Sequence, residues 1–539
     1  MQLLIKLSMC SLLKKKTINV HIFLLSLLIF IVFISLMWAD MQSLIAHDEG
    51  LYARRAKLIY ESGDWLSPFT SPHHKTVGSY WAIAASLKLF GISDWASRLP
   101  SVLAGYIATL LFYLTALKYF KPTNSFVATL SLIAMPIYFQ ALRTVGPDMV
   151  FIALIIAQIY FLTSANDLSR PSSYWRIFGF GVCVSLAFFV RSLVALIPLV
   201  SLLPLIFVMQ YWRNKAFWMW VLGGLLLGST PLLISLFSVF GDHGYPGLIS
   251  LVSFASRKAG VTKLNFFSSI PFYFTRLIIF TFPAFVFLLP RIQSFGKLIR
   301  PSRVHALQIE LDALTMLFPL IYMVVLSFMG TRHYHYLLPL VPPLVLNIAR
   351  ISLISKRSTF KLEANFSGVM SVLYLLGACA LYFKHEDLLD ASFYTSFFAI
   401  ILSSIVCFYA FYARVLSRRN VSPFALILAL LMAQYLAISS LSASGIVWST
   451  NKELKALASS VNSECKSGVY LYGLRGKDET ILRFYLDNSY VLRSLGDLST
   501  AHSRCLVSVK SSRRQVLQDL SGHKISNSVS YTHLTLPTN

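Results

Sequence analysis

Acidic residues are scarce in this sequence: 22 Asp and Glu in 539 residues, so their positions are informative. Two adjacent carboxylates open the run Asp48-Glu49-Gly50-Leu51-Tyr52-Ala53, and Asp148 stands five residues after Arg143. Asp48, with Glu49 beside it, can act as a base or bind a metal at a membrane surface. It can equally cap a helix that begins near Gly50. Asp148 can pair with Arg143, position a substrate hydroxyl, or share a divalent ion with Asp48. A carboxylate at the end of a span is costly unless it is paired or wet. Lys75, Arg143 and Arg191 suit an anionic group such as a phosphate, and Arg191 can alternatively be a snorkelling anchor. Arg332 and His333 are weaker candidates. His335 can touch an anionic or polar ligand, or be a hydrogen-bonded His at a helix start. The chain has no Asp-x-Asp, no P-loop and no CxxC, which leaves a nucleotide-sugar metal site, a nucleotide site and a thiol–zinc site without support.

The elements that must carry these residues are membrane spans. Hydrophobic residues make up 56% of the chain, charged residues 13%, and mean hydropathy is +0.66. That composition excludes a cytosolic enzyme, a disordered scaffold and a disulfide-rich secreted module. It predicts an all-α polytopic membrane protein. Apolar runs long enough to span lie at 21–38, 99–117, 125–142, 149–164, 174–190, 193–210, 216–240, 272–289, 311–329, 336–354, 369–383, 394–413 and 423–441, about 13 in all. Lys6 and Lys14–Lys16 place the N-terminus in the cytoplasm, and every inner loop that follows by alternation is basic. The formal net charge of +25 is therefore read as loop charge rather than as nucleic-acid binding. Two long segments, 39–98 and 241–271, fall on the outer face, where an active site is expected. The first carries Trp, Tyr and Lys in amphipathic pieces that suit interfacial helices.

Beyond about residue 450 the composition turns polar. Residues 452–461, 479–486 and 513–520 have a helix period, and 468–474, 489–494 and 504–510 read as strands. The expectation is a transmembrane domain over 1–445 and a small periplasmic α/β domain over 451–525. Cys465 and Cys505 both lie in that domain. They can pair in an oxidising compartment or remain two buried thiols. Residues 529–539 (VSYTHLTLPTN) resemble a translated adapter read-through and stand outside the fold argument, with the native C-terminus expected to be missing.

The ordered motifs resemble the GT-C superfamily of membrane glycosyltransferases, most nearly the bacterial lipid A aminoarabinose transferases and the protein mannosyltransferases. The matching stretches are Asp48-Glu49-Gly50-Leu51-Tyr52-Ala53, Gly63-Asp64-Trp65, Lys75 with Tyr80-Trp81, Lys88-Leu89-Phe90-Gly91, Arg98-Leu99-Pro100-Ser101, Pro147-Asp148-Met149 and His335-Tyr336-Leu337-Leu338-Pro339-Leu340. The resemblance implies a polyprenyl-phosphate sugar donor and a glycolipid or glycan acceptor, with lipid A or lipopolysaccharide the leading choices. It also implies a periplasmic active site in a bacterial inner membrane. On that reading Asp48, Glu49 and Asp148 are catalytic; Lys75, Arg143, Arg191 and Tyr52 bind the donor phosphate; and His74, Tyr80, His335 and Tyr336 contact sugar or acceptor. A divalent metal ion on Asp48 and Asp148 stays optional. The chain departs from the aminoarabinose transferase pattern at three places. Leu51 stands where that family has Arg, His74 where it has Glu, and Thr76-Val77 where it has Pro-Pro. These changes point to another sugar or acceptor. Three alternatives remain open: a lipid-linked glycan transporter, a protein O-mannosyltransferase-like enzyme, and a non-catalytic assembly protein.

Overall fold

The computed structural model describes residues 21, 26, 43–45, 48–71, 73, 75–165, 170–259, 263–282, 306–354, 360–384, 391–417, 423–443, 452–465, 468–474, 476–492 and 505–508. His74, most of the first predicted span, the predicted helix at 513–520 and the tail at 529–539 lie outside the described residues, as do the side chains of Asp48 and Cys505.

Among the described residues, two helices stand before the first long apolar one. Helix α1 (Asp48–Ser62) buries Tyr52, Ala53, Ala56 and Ile59 along one face, the spacing of an amphipathic helix. Asp64 then turns the chain, its Oδ1 accepting from the backbone N–H groups of Leu66 (2.9 Å) and Ser67 (3.0 Å). Helix α2 (Gly78–Phe90) packs against α1. The Trp81 indole donates to the Trp65 carbonyl (2.6 Å), and Lys88 lies over the Trp65 ring. The Gly-Asp-Trp, Tyr-Trp and Lys-Leu-Phe-Gly motifs are thus one interlocked unit.

The bundle follows. Helix α3 (Asp94–Tyr119) is capped by Ser93, whose side chain accepts from Ala96 N. Helices α4 (Pro122–Ile133) and α5 (Pro136–Arg143) meet at a 67° bend, each opening on a proline in the first turn, where its missing N–H costs nothing. Helix α6 runs Asp148–Ser164 and α7 Pro171–Arg191; the chain breaks at Ser192 before α8 (Leu196–Val208). Helices α9 (Lys215–Ala259), α10 (Lys263–Thr281), α11 (Ala306–Asp312), α12 (Phe318–Ser327), α13 (Val341–Ile354), α14 (Phe360–Lys384), α15 (Ala391–Phe411) and α16 (Pro423–Ala443) complete it.

Among the described residues, seven helices are long and apolar enough to cross a membrane, or eight if the bent α4–α5 pair is one span. Three shorter apolar helices, Asp148–Ser164, Phe266–Thr281 and Tyr334–Ala349, fall on further predicted spans. One of the seven is the whole Pro171–Val208 stretch, 38 residues with the Ser192 break inside it. At 1.5 Å per residue that length is about twice a bilayer core, as expected for two of the predicted spans. Helices α7 and α9 touch backbone to backbone. A Cβ on Gly224 would lie 2.1 Å from the Phe178 carbonyl oxygen, and one on Gly181 2.4 Å from that of Val221. Such contacts through small residues are how membrane helices gain van der Waals packing.

The segment at 241–271 differs from expectation. It is helical rather than a loop: α9 continues through it with a kink at Gly244, and α10 takes up at Lys263. Gly244 and Pro246 interrupt the hydrogen-bond ladder but the chain stays apolar, and Tyr245, Ile249 and Val252 are exposed on it.

The polar C-terminal region forms helix α17 (Lys452–Glu464), strand β1 (Val469–Tyr472), helix α18 (Gly476–Tyr485), strand β2 (Ser489–Val491) and strand β3 (Cys505–Ser508). The sheet order is β2-β1-β3, and both pairings are parallel. Helix α18 is the crossover that a parallel β1–β2 pair requires. Leu454, Ala458, Val469, Leu471, Ile481 and Leu482 make its core.

Candidate active site

The site is built outward from Glu49. Its carboxylate is buried and accepts four hydrogen bonds. Arg98 donates from Nε to Oε1 (3.1 Å) and from Nη2 to Oε2 (2.9 Å). The backbone N–H of Ile45 reaches Oε2 (2.7 Å), and that of Val145 reaches Oε1 (2.7 Å). Both partners of the ion pair are nearly excluded from solvent, with side chains 3% and 4% exposed. A pair buried this deeply persists only when its remaining lone pairs are satisfied, as they are here. Glu49 was expected among the catalytic carboxylates; its geometry is that of a tie.

What it ties is informative. Arg98 belongs to the first turns of α3, and Val145 lies in the loop between Arg143 and Asp148. Ser101, one turn after Arg98, donates to the Thr144 carbonyl in the same loop (2.7 Å). The first turn of α1, which begins at Asp48, is therefore fixed against the loop that presents Asp148.

Lys75 arrives from the segment before α2. Its Nζ donates to the Tyr52 hydroxyl (2.8 Å) and sits 4.5 Å from the centre of that ring. It also lines a cavity of about 20 Å³, enough for about one water, between this segment and α9, together with His73, Ser235 and His243. His243 Nε2 donates to the Phe69 carbonyl across that boundary (2.8 Å). Tyr80 is fully buried. Its hydroxyl accepts from Arg55 Nη1 (2.8 Å) and lies 3.0 Å from His73 Nε2. Burial pushes its phenol up to about 12, with the Arg55 charge working in the other direction. Tyr80 thus supports the site from within the packed cluster and has no exposed surface.

The two arginines take separate places. Arg191, at the end of α7, forms an ion pair with Asp148. The start of α2 brings that end close: Ser79 Oγ donates to the Val190 carbonyl (2.7 Å). Arg143 is buried, donates to Ser442 on α16 and lies over the Phe139 ring. The pairing of Asp148 with Arg143, one of the sequence alternatives, is replaced by pairing with Arg191. His335 stacks on His333 and meets the edge of the Tyr336 ring (4.7 Å), at the start of a 3-10 helix (Tyr334–Leu340) that packs against α5, α6 and α10. The Tyr336 side chain is buried. Arg332 donates to the Ser268 carbonyl (3.3 Å). Among the described residues no group of three or more His, Cys, Asp or Glu converges on a point.

Arg98 is the residue that sequence reasoning quoted without giving it a task. Its signal was present: a guanidinium near the start of a 26-residue span needs a carboxylate, and few exist. Lys57 and Asp94 were missed altogether. Their partners lie more than 350 residues away in the C-terminal unit.

This is the architecture of a polytopic helical membrane protein with a small α/β unit docked on it. The crystal structure of ArnT from Cupriavidus metallidurans bound to undecaprenyl phosphate matches it with a TM-score of 0.69 at 15% identity, over 93% of this chain and 94% of that one. The apo state matches at 0.63 and 17%. At that identity the likeness is one of fold. In sequence, the family described as dolichyl-phosphate-mannose-protein mannosyltransferase matches residues 74–234. The undecaprenyl phosphate-alpha-4-amino-4-deoxy-L-arabinose arabinosyl transferase of Aeromonas hydrophila subsp. hydrophila is 28% identical over 182 residues, 33% of this chain and 33% of that protein. The protein of the same name from Yersinia pestis is 26% identical over 189 residues, 33% of this chain and 34% of its own. The chain thus resembles the aminoarabinose transferases in fold throughout and in sequence over a third of their length.

Proposed function

We propose that this chain is a membrane glycosyltransferase that moves a sugar from a polyprenyl-phosphate donor to lipid A, lipopolysaccharide or another envelope acceptor on the periplasmic side of a bacterial inner membrane. Residues 1–445 act as its transmembrane domain and 451–525 as a periplasmic domain. The observation that carries the reading is the four-bond Glu49 tie, which unites the Asp48, Arg98 and Asp148 stretches beside the Lys75–Tyr52 pair. The fold and sequence likenesses to transferases that use undecaprenyl-phosphate sugars support it.

The roles follow from charge. Attack by an acceptor oxygen on the anomeric carbon releases a lipid phosphate, and that phosphate needs a cation in place. Lys75 is suited to it, because Tyr52 holds the ammonium at the boundary of the cavity. Asp48 takes or orients the acceptor proton. Glu49 cannot share that task, since all its bonds are used in holding α1. Arg191 sets the orientation of Asp148 through their ion pair. Arg143, turned toward α16, anchors the site loop. No step is assigned to a metal. The sugar differs from aminoarabinose or meets a different acceptor, on the strength of Leu51, His74 and Thr76-Val77.

The test is donor turnover by the purified chain in detergent, where no barrier exists and pure transport cannot register. Asp48→Asn and Lys75→Ala should each remove turnover at unchanged protein abundance. Full activity in both variants would overturn the site assignment, and absence of turnover by the intact chain would favour the transporter.

A further inference from the structure

The C-terminal α/β unit does not sit beside α1; it grips it. Lys57, in the middle of α1, is buried and donates from Nζ to the carbonyls of Phe484 (3.1 Å) and Leu486 (2.6 Å) at the end of α18. A cation placed on the last carbonyls of a helix is favourably set against its dipole. Tyr485, between those two residues, reaches the other way. Its hydroxyl donates to Asp94 Oδ1 (2.6 Å) and accepts from Leu44 N (2.7 Å), and Lys455 donates to Asp94 Oδ2 (2.5 Å). Phe484 is a full member of the apolar cluster that contains Tyr52, Ala53, Ile59, Tyr80 and Val145. Arg54 faces Glu479 at 4.0 Å, and burial, followed by the Arg483 charge, pushes its guanidinium down to about 10.

The closest approach is at Gly50. A Cβ there would lie 2.7 Å from Cγ1 of Ile481, a fully buried side chain in the core of the α/β unit. Alanine is the better residue for a helix interior. Glycine at position 50 therefore makes sense as the place where α18 lies against the first turn of α1, two residues from Asp48.

We propose that α18 is a clamp that sets the tilt of α1 for glycosyl transfer. Lys57, Tyr485 and the Gly50–Ile481 contact are its positioning elements. The inference rests on the functional reading above and adds a task for the C-terminal unit that its sequence did not disclose. The clamp fixes α1 from one side while Glu49 fixes it from the other, so the Asp48 turn has one position relative to the Asp148 loop. Small displacements of a reacting group are costly: a shift of about 1 Å can lower a rate by about a hundredfold.

The experiment uses the full chain, with undecaprenyl-phosphate-linked mannose as donor and lipid A as acceptor, and measures both transfer kinetics and amide hydrogen exchange over residues 48–62. Gly50→Ala should lower kcat by about 10- to 100-fold, leave the donor KM nearly unchanged, and speed exchange in the first turns of α1. Gly50→Ala combined with Ile481→Ala restores the space and should recover both readouts. Lys57→Met should behave like Gly50→Ala, and Lys57→Arg should be close to the intact chain. Unchanged kinetics and exchange in Gly50→Ala would overturn the clamp. So would a loss that Ile481→Ala does not repair, because Gly50 would then act by another route. If the intact chain transfers nothing from this donor, the assignment of the donor fails. Exchange then still decides the clamp, since faster exchange in Gly50→Ala that is reversed by Ile481→Ala supports the docking and no change refutes it.

Discussion

Glu49 and Asp48 are neighbours in the chain with opposite duties. Glu49 has spent its acceptor capacity on Arg98, Ile45 N and Val145 N. Removing its charge leaves the Arg98 guanidinium buried without its counter-ion, a change that costs about 3–5 kcal/mol in soluble proteins. Glu49→Gln should therefore lower the melting temperature in detergent and the amount of protein in the membrane, whereas Asp48→Asn should change neither and abolish transfer. Equal melting of the two variants would place Glu49 in the chemistry instead. The sequence made the chemical types legible here: which carboxylates, which cations, and that they belong together. It could not separate the two carboxylates, because what distinguishes them is a guanidinium 49 residues away and a backbone N–H 96 residues away. Lys75 was legible for a different reason. It is a cation next to aromatic residues in an outer segment, and its partner Tyr52 belongs to a motif already recognised.

At the scale of elements, apolar runs marked about 13 spans, because lipid leaves a helix as the way to satisfy a backbone; among the described residues seven helices, or eight with the bent α4–α5 pair, are long and apolar enough to cross a membrane. The run Gly241-Asp242-His243-Gly244-Tyr245-Pro246 gave the opposite result. It has every mark of a turn, yet α9 bends at Gly244 and goes on, with His243 held by the Phe69 carbonyl. Turn chemistry marks where a ladder is interrupted; whether the chain then leaves the helix is decided by what it packs on. In the α/β unit the three expected strands and the first two expected helices appear in their expected order, because alternation and helix period are both local signals, while the third expected helix, at 513–520, lies outside the described residues. Cys465, just past α17, is disulfide-bonded, while Cys183, Cys379 and Cys407 are free. We propose Cys505 as its partner: β3 begins there and pairs with β1 at Val469, four residues beyond Cys465. Alkylation followed by mass analysis should find Cys465 and Cys505 labelled only after reduction and joined in one unreduced peptide. Labelling of Cys505 without reductant would refute the pairing. Such a bond suits the oxidising side of a bacterial inner membrane.

The molecule as a whole is an apolar bundle that carries a compact polar assembly: α1, α2, the Asp148 loop and the α/β unit, joined by buried polar bonds. Its parts are distant in sequence and share one packed cluster, from Leu44 to Phe484. The bundle architecture was legible from composition, and a resemblance to the GT-C superfamily from ordered motifs. The docking of the α/β unit on α1 was not, because single partners such as Lys57 with Phe484 and Leu486 leave no periodic trace. The central claim is that this assembly transfers a sugar to an envelope lipid. Its most direct test is mass spectrometry of lipid A and envelope glycolipids from a deletion strain, the strain restored with the intact gene, and the strain restored with Asp48→Asn. A fixed mass increment present with the intact gene and missing in the other two is the predicted result. An increment that survives Asp48→Asn, or identical spectra from all three strains, would contradict it.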